Sequence, residues 1–330
     1  MKSASSNKSK VEAIAKFRDQ TQEAAARYLV GYEPVIDDIL ISFLAQGHII
    51  LVGLPGLGKT LMVKVLSKIW GLEFNRVQFT PDLLPSDITG TEIIQEKAGK
   101  GSQVTRSFEF QKGPVFTNLL LADEINRTPP KTQSSLLQAM EERQVTVGRK
   151  TMDLPAPFMV MATQNPIEME GTYPLPEAQL DRFFMSINLQ YPTEEDELKI
   201  ALINKSDQNF DKLKPLANAK VLMQWSQLIQ DVLIPESVTR KIVTSVRNTR
   251  PGSGNEMAER YGEYGAGPRA VQYLVQAARA KALLLGKTAV TEELVDDVFL
   301  NIMRHRILLN YIALAEKISV DDYLKQCLVD

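Results

Sequence analysis

The segment Gly53-Leu54-Pro55-Gly56-Leu57-Gly58-Lys59-Thr60 has the residue types and spacing needed to hold a phosphate group. Glycines let several backbone N–H groups converge on the same phosphate oxygens, while the lysine adds a positive charge and the threonine hydroxyl offers an oxygen to Mg²⁺. The segment matches the pattern G-x-x-x-x-G-K-[ST] completely. It predicts a phosphate-binding site formed by Gly53, Pro55, Gly56, Leu57, Gly58, Lys59, Thr60 and Leu61.

The elements around this loop are those that such a site requires. A short apolar run, Ile49 to Gly53, is typical of a buried parallel strand, and a helical pattern follows from Lys59 to Trp70. The amino end of that helix adds the positive end of its dipole to the site. The simple alternative is a glycine-rich turn before an ordinary helix. The flanking strand and helix favour nucleotide binding.

Two carboxylates, Asp123 and Glu124, directly follow a second apolar run, Phe116 to Ala122. Ligands of open α/β sheets bind at the carboxyl ends of the strands, so these side chains are expected beside the phosphate loop. Asp123 would hold Mg²⁺ through water and Glu124 would polarise the attacking water as general base. Two isolated acidic residues more often begin a surface turn. The phosphate loop upstream is what favours function here.

Asn165 follows a third apolar run, Phe158 to Thr163. If this strand lies between those that carry Lys59 and Asp123, the amide of Asn165 reaches the same crevice. There it could orient the lytic water or contact the γ-phosphate. The alternative is that Asn165, which precedes Pro166, only forms a turn.

Apolar runs and helical patterns divide the chain into two domains. Five strand-like runs, separated by helical or long connections, predict a parallel sheet with helices on both faces; the runs are 49–53, 74–79, 116–122, 158–163 and 183–189. No further strand is expected beyond 192, and a helix should begin at Thr193. We therefore predict a disordered tail over 1–10, an α/β core over 11–192 and a smaller all-helical domain over 193–330. The glycine-rich stretch 251–267 is expected to be a mobile loop.

Composition excludes several classes of protein. With 38 Lys and Arg against 40 Asp and Glu, the net charge of -2 gives no general attraction to nucleic acid or anionic lipid. The single cysteine, Cys327, cannot form an intrachain disulfide, and two separated histidines, His48 and His305, argue against metal sites built from Cys and His. Neither a secretion signal nor a membrane-spanning run is recognisable, so we expect a cytoplasmic protein.

Taken together, these segments resemble the MoxR family of AAA+ ATPases. The matching stretches follow the family order from about residue 30 to 305; they are the phosphate loop, 79–90, 121–127, 136–142, 162–166, 171–183 and 267–270. The resemblance implies a P-loop NTPase core with sheet order 5-1-4-3-2 and a helical lid. It also implies assembly into a ring, commonly a hexamer, with ATP and Mg²⁺ bound between neighbouring subunits.

The resemblance also assigns roles to single residues. It makes Asn165 the sensor 1 residue, Arg182 the candidate arginine finger and Arg269 the sensor 2 residue of the lid. A guanidinium placed against the γ-phosphate stabilises the charge that develops during transfer, and a neighbour's guanidinium makes hydrolysis depend on assembly. Alternatively, Arg182 could pair with Asp181 or Glu177 on a surface, and Arg269 could simply begin a helix.

Two inserts bear on what the protein acts on. The stretch 91–113 is expected to form a hairpin or helix, and 144–155 a hairpin that turns at Gly148 with Arg149 and Lys150 at its tip. In the family that the chain resembles, both inserts face a central pore. The alternative is that they are only exposed loops.

The leading hypothesis is an ATPase that remodels, matures or activates partner protein complexes as a chaperone does. The resemblance suggests a partner with a von Willebrand A domain. The alternative is a DNA-dependent AAA+ motor or loader, which the net charge disfavours because nucleic-acid binding rests on basic surfaces. A scaffold that binds ATP without turnover and a P-loop small-molecule kinase are weaker alternatives.

Overall fold

The computed structural model describes residues 2–98, 104–148, 150–167, 171–203, 210 and 213–329. The strands in these ranges are β1 (Ile49–Val52), β2 (Phe74–Gln78), β3 (Gly90–Ala98), β4 (Val104–Lys112), β5 (Leu119–Asp123), β6 (Gln144–Val147), β7 (Lys150–Asp153), β8 (Met159–Gln164), β9 (Met185–Asn188), β10 (Gly262–Tyr264) and β11 (Leu308–Leu309). The α-helices are α1 (Lys2–Ala26), α2 (Glu33–Leu44), α3 (Lys59–Trp70), α4 (Pro85–Thr89), α5 (Pro130–Glu142), α6 (Glu177–Leu180), α7 (Glu194–Ala201), α8 (Ala219–Gln227), α9 (Glu236–Asn248), α10 (Glu256–Tyr261), α11 (Pro268–Leu284), α12 (Glu292–Met303), α13 (Tyr311–Ala315) and α14 (Val320–Cys327).

The core domain contains one five-stranded parallel sheet with the order β2-β5-β8-β1-β9. Numbered along the chain and read from β9, this is the order 5-1-4-3-2 that the family resemblance implies. The strand β8 therefore lies between β1 and β5. Because all five strands run in the same direction, the segments after β1, β5 and β8 meet at one edge of the sheet. The predicted fold class is confirmed.

Both faces of the sheet are covered, which explains why its three central strands, β1, β5 and β8, are almost continuously apolar. Successive side chains of a strand point to opposite faces. Ile50 and Val160 pack in one apolar cluster with Met140 of α5, whereas Ile49 and Met161 belong to a second cluster that includes α2, α3 and much of the lid. The alternation therefore sandwiches the sheet between two helical layers.

The lid is mainly helical, as predicted. Thr193 caps α7 by accepting a hydrogen bond from the backbone N–H of Asp196 at 3.3 Å, so the helix begins where the sequence predicts. The long lid helix α11 begins with Pro268 at its first position and lies against α1, α2 and α12. Core and lid therefore share one continuous apolar cluster.

Both inserts form hairpins. Strands β3 and β4 pair antiparallel from Gly90 opposite Lys112 to Ala98 opposite Val104, which selects the hairpin over the helix for 91–113. Strands β6 and β7 pair likewise around the predicted turn at Gly148, while Arg149 lies outside the described residues. A Cβ atom on Gly148 would lie 3.3 Å from a carboxylate oxygen of Glu92, so the two hairpins approach each other.

Three predictions about local structure are wrong. Residues 2–10 belong to α1 instead of a separate tail, because extending a helix already formed over 11–26 costs little compared with nucleating one. The stretch 251–267 contains α10, which Asn255 caps by accepting from two backbone N–H groups, and such a short helix has no readable periodicity. The lid also contains the small antiparallel pair β10 and β11, whose strands are too short to recognise in the sequence.

Candidate functional site

The predicted phosphate loop wraps around the carboxyl end of β1 and leads into α3. Gly56 and Gly58 have φ angles of 88° and 68°, a left-handed backbone that favours glycine, and a Cβ atom on either would meet nothing within 4 Å. The loop backbone therefore borders open space at the amino end of a 12-residue helix. That is the cradle that a phosphate group requires.

The other glycine of the loop, Gly53, is needed for packing. A Cβ atom there would lie 2.9 Å from the Cβ of Leu189 and 3.3 Å from a methyl carbon of Leu57. On the other side, the hydroxyl of Tyr32 donates a hydrogen bond to the carbonyl oxygen of Leu57 at 2.7 Å. The loop is thus held between the segment after β9 and the segment before α2.

The ammonium group of Lys59 points back along its own loop. It donates hydrogen bonds to the carbonyl oxygens of Gly53 at 2.5 Å and Leu54 at 3.3 Å. Burial lowers the pKa of Lys59, and the carboxylates of Asp123 and Glu124 oppose this effect. An anion in the cradle would exchange two neutral acceptors for a charged one, which binds an ammonium group more strongly.

The carboxylate of Asp123 lies at the end of β5, held by its neighbours on both sides. It accepts a hydrogen bond from the hydroxyl of Thr163 at 2.6 Å, and its other oxygen accepts from the guanidinium of Arg76 at 2.7 and 3.1 Å. Thr163 lies on β8 and Arg76 on β2, the two strands that flank β5. The sheet order therefore fixes the orientation of this carboxylate.

Glu124 has a left-handed backbone, with a φ angle of 58°. Its backbone N–H donates to the hydroxyl of Thr163 at 2.8 Å, so one hydroxyl holds both acidic residues. Its carboxylate accepts from the side-chain amide of Gln78 at 2.7 Å and lies 3.3 Å from the guanidinium of Arg127. The general base expected from the sequence is therefore engaged by residues of β2 and of the turn after β5.

Asn165 is buried directly after β8 and borders the same cavity as Lys59, Thr60, Asp123 and Glu124. The volume of this cavity is about 410 Å³. The side-chain oxygen of Asn165 accepts from the backbone N–H of Ile167 at 3.2 Å, so the residue also forms the turn that was its alternative role. One cavity thus brings together the predicted loop residues from Pro55 to Leu61 with both carboxylates and the amide.

Arg182 and Arg269 lie elsewhere. Arg182 comes just before β9, whose preceding residue Phe184 donates its backbone N–H to the carbonyl oxygen of His48, just before β1. This is the amino edge of the sheet, and the four residues of β1 separate it from the phosphate loop by roughly 13 Å. An arginine side chain next to His48 therefore cannot reach the phosphate loop of its own chain.

The two arginines instead share one carboxylate. Glu141 of α5 contacts the guanidinium of Arg182 at 3.1 Å and that of Arg269 at 3.5 Å, and Arg269 also donates to Asp181 at 3.3 Å. Both guanidiniums are about one-third exposed and border a second cavity beside Gly47 and His48. The partner of Arg182 is Glu141 and not Asp181 or Glu177, which were the alternative partners considered for it. Arg269 does begin a helix, since it is the second residue of α11.

Known proteins resemble this chain in both of its domains. Residues 48–185 match the family described as "ATPase family associated with various cellular activities (AAA)", and residues 255–327 match the "AAA lid domain". The chain is 40% identical to "Chaperone MoxR1" of Mycobacterium tuberculosis over 304 residues, which cover 92% of this chain and 78% of that protein. "Protein MoxR" of Methylorubrum extorquens is 29% identical over 315 residues, which cover 90% of this chain and 88% of that protein. The chain belongs to the MoxR family of AAA+ ATPases.

A solved structure agrees with this assignment. A Cytophaga hutchinsonii protein, named as a presumed ATPase, is 40% identical and superposes with a TM-score of 0.90 over 100% of this chain and 99% of that one. Membership of an AAA+ ATPase family implies that the chain binds a nucleotide. None of the helices in the described part of this MoxR-family chain is long and apolar enough to cross a membrane.

The residues present fit the Mg²⁺ ion that the family implies. The hydroxyl of Thr60 and the carboxylate of Asp123 border the same cavity, and hard oxygen donors are what Mg²⁺ prefers. One oxygen of Asp123 accepts hydrogen bonds from Arg76 and the other accepts one from Thr163, so the orientation of the carboxylate is fixed. Thr60 and Asp123 would therefore hold the ion.

Sequence reasoning missed the residues that orient the acidic pair. Thr163, Arg76 and Gln78 lie on β8 and β2 and contact Asp123 or Glu124 only because those strands flank β5. No local motif marks them. Their positions in the sequence are the signal that could have found them, since Thr163 lies two residues before Asn165 and Gln78 is the second-last residue of the strand-like run 74–79.

Proposed function

We propose that the chain hydrolyses ATP and that a neighbouring copy completes each site. The triphosphate binds to the backbone of the loop 53–60 and to Lys59, which leaves its carbonyl partners. Glu124 takes the proton of the attacking water, and Asn165 holds that water or the γ-phosphate. Thr60 and Asp123 would hold Mg²⁺, which would supply positive charge against the triphosphate.

The observation that carries this proposal is the separation of the site into two halves. The cavity at the carboxyl edge holds the loop and both carboxylates, while Arg182 and Arg269 lie at the amino edge of the same sheet. Two exposed guanidiniums that converge on one carboxylate form a site that phosphate oxygens can occupy equally well. In a ring, the arginine edge of one copy faces the phosphate loop of the next. We propose a hexamer.

We further propose that the energy of hydrolysis is used to remodel partner protein complexes. The support is the hairpin of β3 and β4, on which Ile94 and Phe108 face each other in register and are 60% and 69% exposed. An exposed apolar pair on a hairpin suits contact with protein. Exposed Glu109 and half-buried Glu92 on the same hairpin disfavour contact with the phosphates of DNA. A cytoplasmic location and a von Willebrand A partner stay predictions.

The test is hydrolysis and binding measured on the same variants. The wild-type chain should release phosphate from ATP with Mg²⁺, Lys59→Ala should lose nucleotide binding, and Glu124→Gln should bind ATP but turn it over at least about a hundredfold more slowly. Glu236→Gln, which removes an exposed carboxylate that pairs with Arg240 on the surface of the lid, is the matched control. Turnover by Glu124→Gln at the wild-type rate would refute the assignment of the general base.

Glu124→Gln held in ATP also tests the client. It should retain a partner protein that wild type releases, and Phe108→Ser in the same background should not. Turnover that DNA stimulates in a salt-dependent manner, with no protein retained, would contradict the remodelling proposal and favour a DNA-dependent motor.

A further inference from the structure

A buried arginine of the lid binds the segment that carries Arg182. Arg306 follows α12 and is 7% exposed. Its guanidinium donates to the carboxylate of Asp181 at 2.8 Å and to the backbone carbonyl oxygens of Asp181 at 3.3 Å and Phe183 at 2.5 Å. It also donates to the carbonyl of Ile302 in its own helix. The lid therefore forms hydrogen bonds with the backbone on both sides of Arg182.

Further contacts hold the guanidinium of Arg306 and the segment that it binds. The guanidinium stacks on the ring of Tyr273 at 5.0 Å, and its burial makes a counter-charge necessary, since an unpaired buried charge is strongly unfavourable. Asp181 supplies that charge. The neighbouring His305 adds a hydrogen bond to the carbonyl oxygen of Phe183 at 3.0 Å. The carboxylate of Asp181 therefore has a defined position even though it is 31% exposed.

The second oxygen of Asp181 faces the other arginine. It accepts from the guanidinium of Arg269 at 3.3 Å, while its first oxygen accepts from Arg306. Arg269 in turn lies against Glu141, which also contacts Arg182. A continuous chain of charges therefore runs from the buried Arg306 through Asp181 to both exposed guanidiniums.

We propose that Asp181 is a positioning residue, which holds Arg182 of the core in a fixed place relative to Arg269 of the lid as the two arginines serve the phosphate site of another copy. This inference rests on the proposed function. Asp181 touches no nucleotide in its own chain, because it lies with Arg182 at the amino edge of the sheet. Its loss should therefore act on the neighbour's hydrolysis and leave the binding of ATP to its own loop unchanged.

The test separates turnover from binding. Asp181→Asn should lower kcat at least tenfold with an unchanged Kd for ATP, because the neutral side chain no longer holds Arg269. Asp181→Glu keeps the charge beside Arg306 but displaces the second oxygen, so it should fold and also show a lower kcat. Asp321→Asn is the matched control, since Asp321 pairs with the neighbouring Arg304 at 2.6 and 2.8 Å and should retain wild-type kcat.

Mixing identifies the chain on which Asp181 acts. Asp181→Asn has an intact phosphate loop, whereas Lys59→Ala has intact arginines, so a mixture should hydrolyse ATP faster than either variant does alone. Wild-type kcat in both Asp181 variants would overturn the proposal, as would a mixture that stays inactive while Arg182→Ala and Lys59→Ala restore each other. If Arg182→Ala and Arg269→Ala both retain wild-type kcat, the shared site of the proposed function is wrong as well.

Discussion

Thr163→Val should disable the site without touching any group that contacts substrate. The hydroxyl of Thr163 is completely buried, donates to the carboxylate of Asp123 at 2.6 Å and accepts from the backbone N–H of Glu124 at 2.8 Å. Valine fills the same space but offers neither interaction. The variant thus leaves one carboxylate oxygen without its donor and one N–H without its acceptor.

The size of the effect follows from these two bonds. A hydrogen bond to a charged group contributes about 1.5–3 kcal/mol, and a buried donor left unpaired costs about 1–3 kcal/mol. We therefore expect Thr163→Val to lose about 3 kcal/mol of unfolding free energy. Because the left-handed backbone of Glu124 loses its tie to β8, kcat should fall at least about tenfold, which corresponds to about 1.4 kcal/mol in the activation barrier.

Two assays on two variants test this reasoning. Unfolding in guanidinium chloride gives the stability, and phosphate release under saturating ATP gives kcat. Thr163→Ser keeps the hydroxyl and removes only a methyl group, so its kcat should stay close to wild type. A Thr163→Val protein with wild-type stability and turnover would refute the role of this hydroxyl. Equal losses in both variants would assign the effect to packing instead.

Two further predictions concern the core–lid junction and the phosphate loop. Burial raises the pKa of Asp38 from 3.8 to about 7, so the unfolded chain releases this proton at a lower pH and stability falls as the pH rises from about 4 to about 7. The free energy of unfolding of Asp38→Asn, measured with denaturant, should therefore equal that of wild type near pH 4 and exceed it at pH 8 by at most about 4 kcal/mol. The same difference in unfolding free energy at both pH values would contradict this. Gly53→Ala places a Cβ atom 2.9 Å from Leu189, so we expect the Kd for ATP to rise about tenfold in a calorimetric titration, and an unchanged Kd would show that the loop tolerates the contact.

Local sequence patterns were sufficient for the fold and for one half of the site. The helix from Lys59 to Trp70 has the predicted ends, and the central strands β1, β5 and β8 were recognised because strands buried on both faces are largely apolar. The glycines, Lys59 and the carboxylates after β5 can be found by motif because the chemistry of a phosphate site demands them in a fixed order.

The rest depends on contacts between elements that are distant in the sequence. Arg76 reaches Asp123 only through the pairing of β2 with β5, and Arg306 meets Asp181 only after the lid packs on the core. Neither contact produces a motif or a periodic pattern in the sequence from which it could be predicted. Short elements such as α10 were missed because a helix of six residues is decided by its cap and by tertiary packing.

The most direct test of the shared site is complementation between two inactive variants. Lys59→Ala lacks a working phosphate loop and Arg182→Ala lacks the guanidinium at the opposite edge, so each alone should release almost no phosphate from ATP. A mixture of the two should hydrolyse ATP at a rate that depends on the mixing ratio and is greatest near equal amounts. A mixture as inactive as its components, or an Arg182→Ala protein as active as wild type, would contradict the claim that one copy completes the site of another.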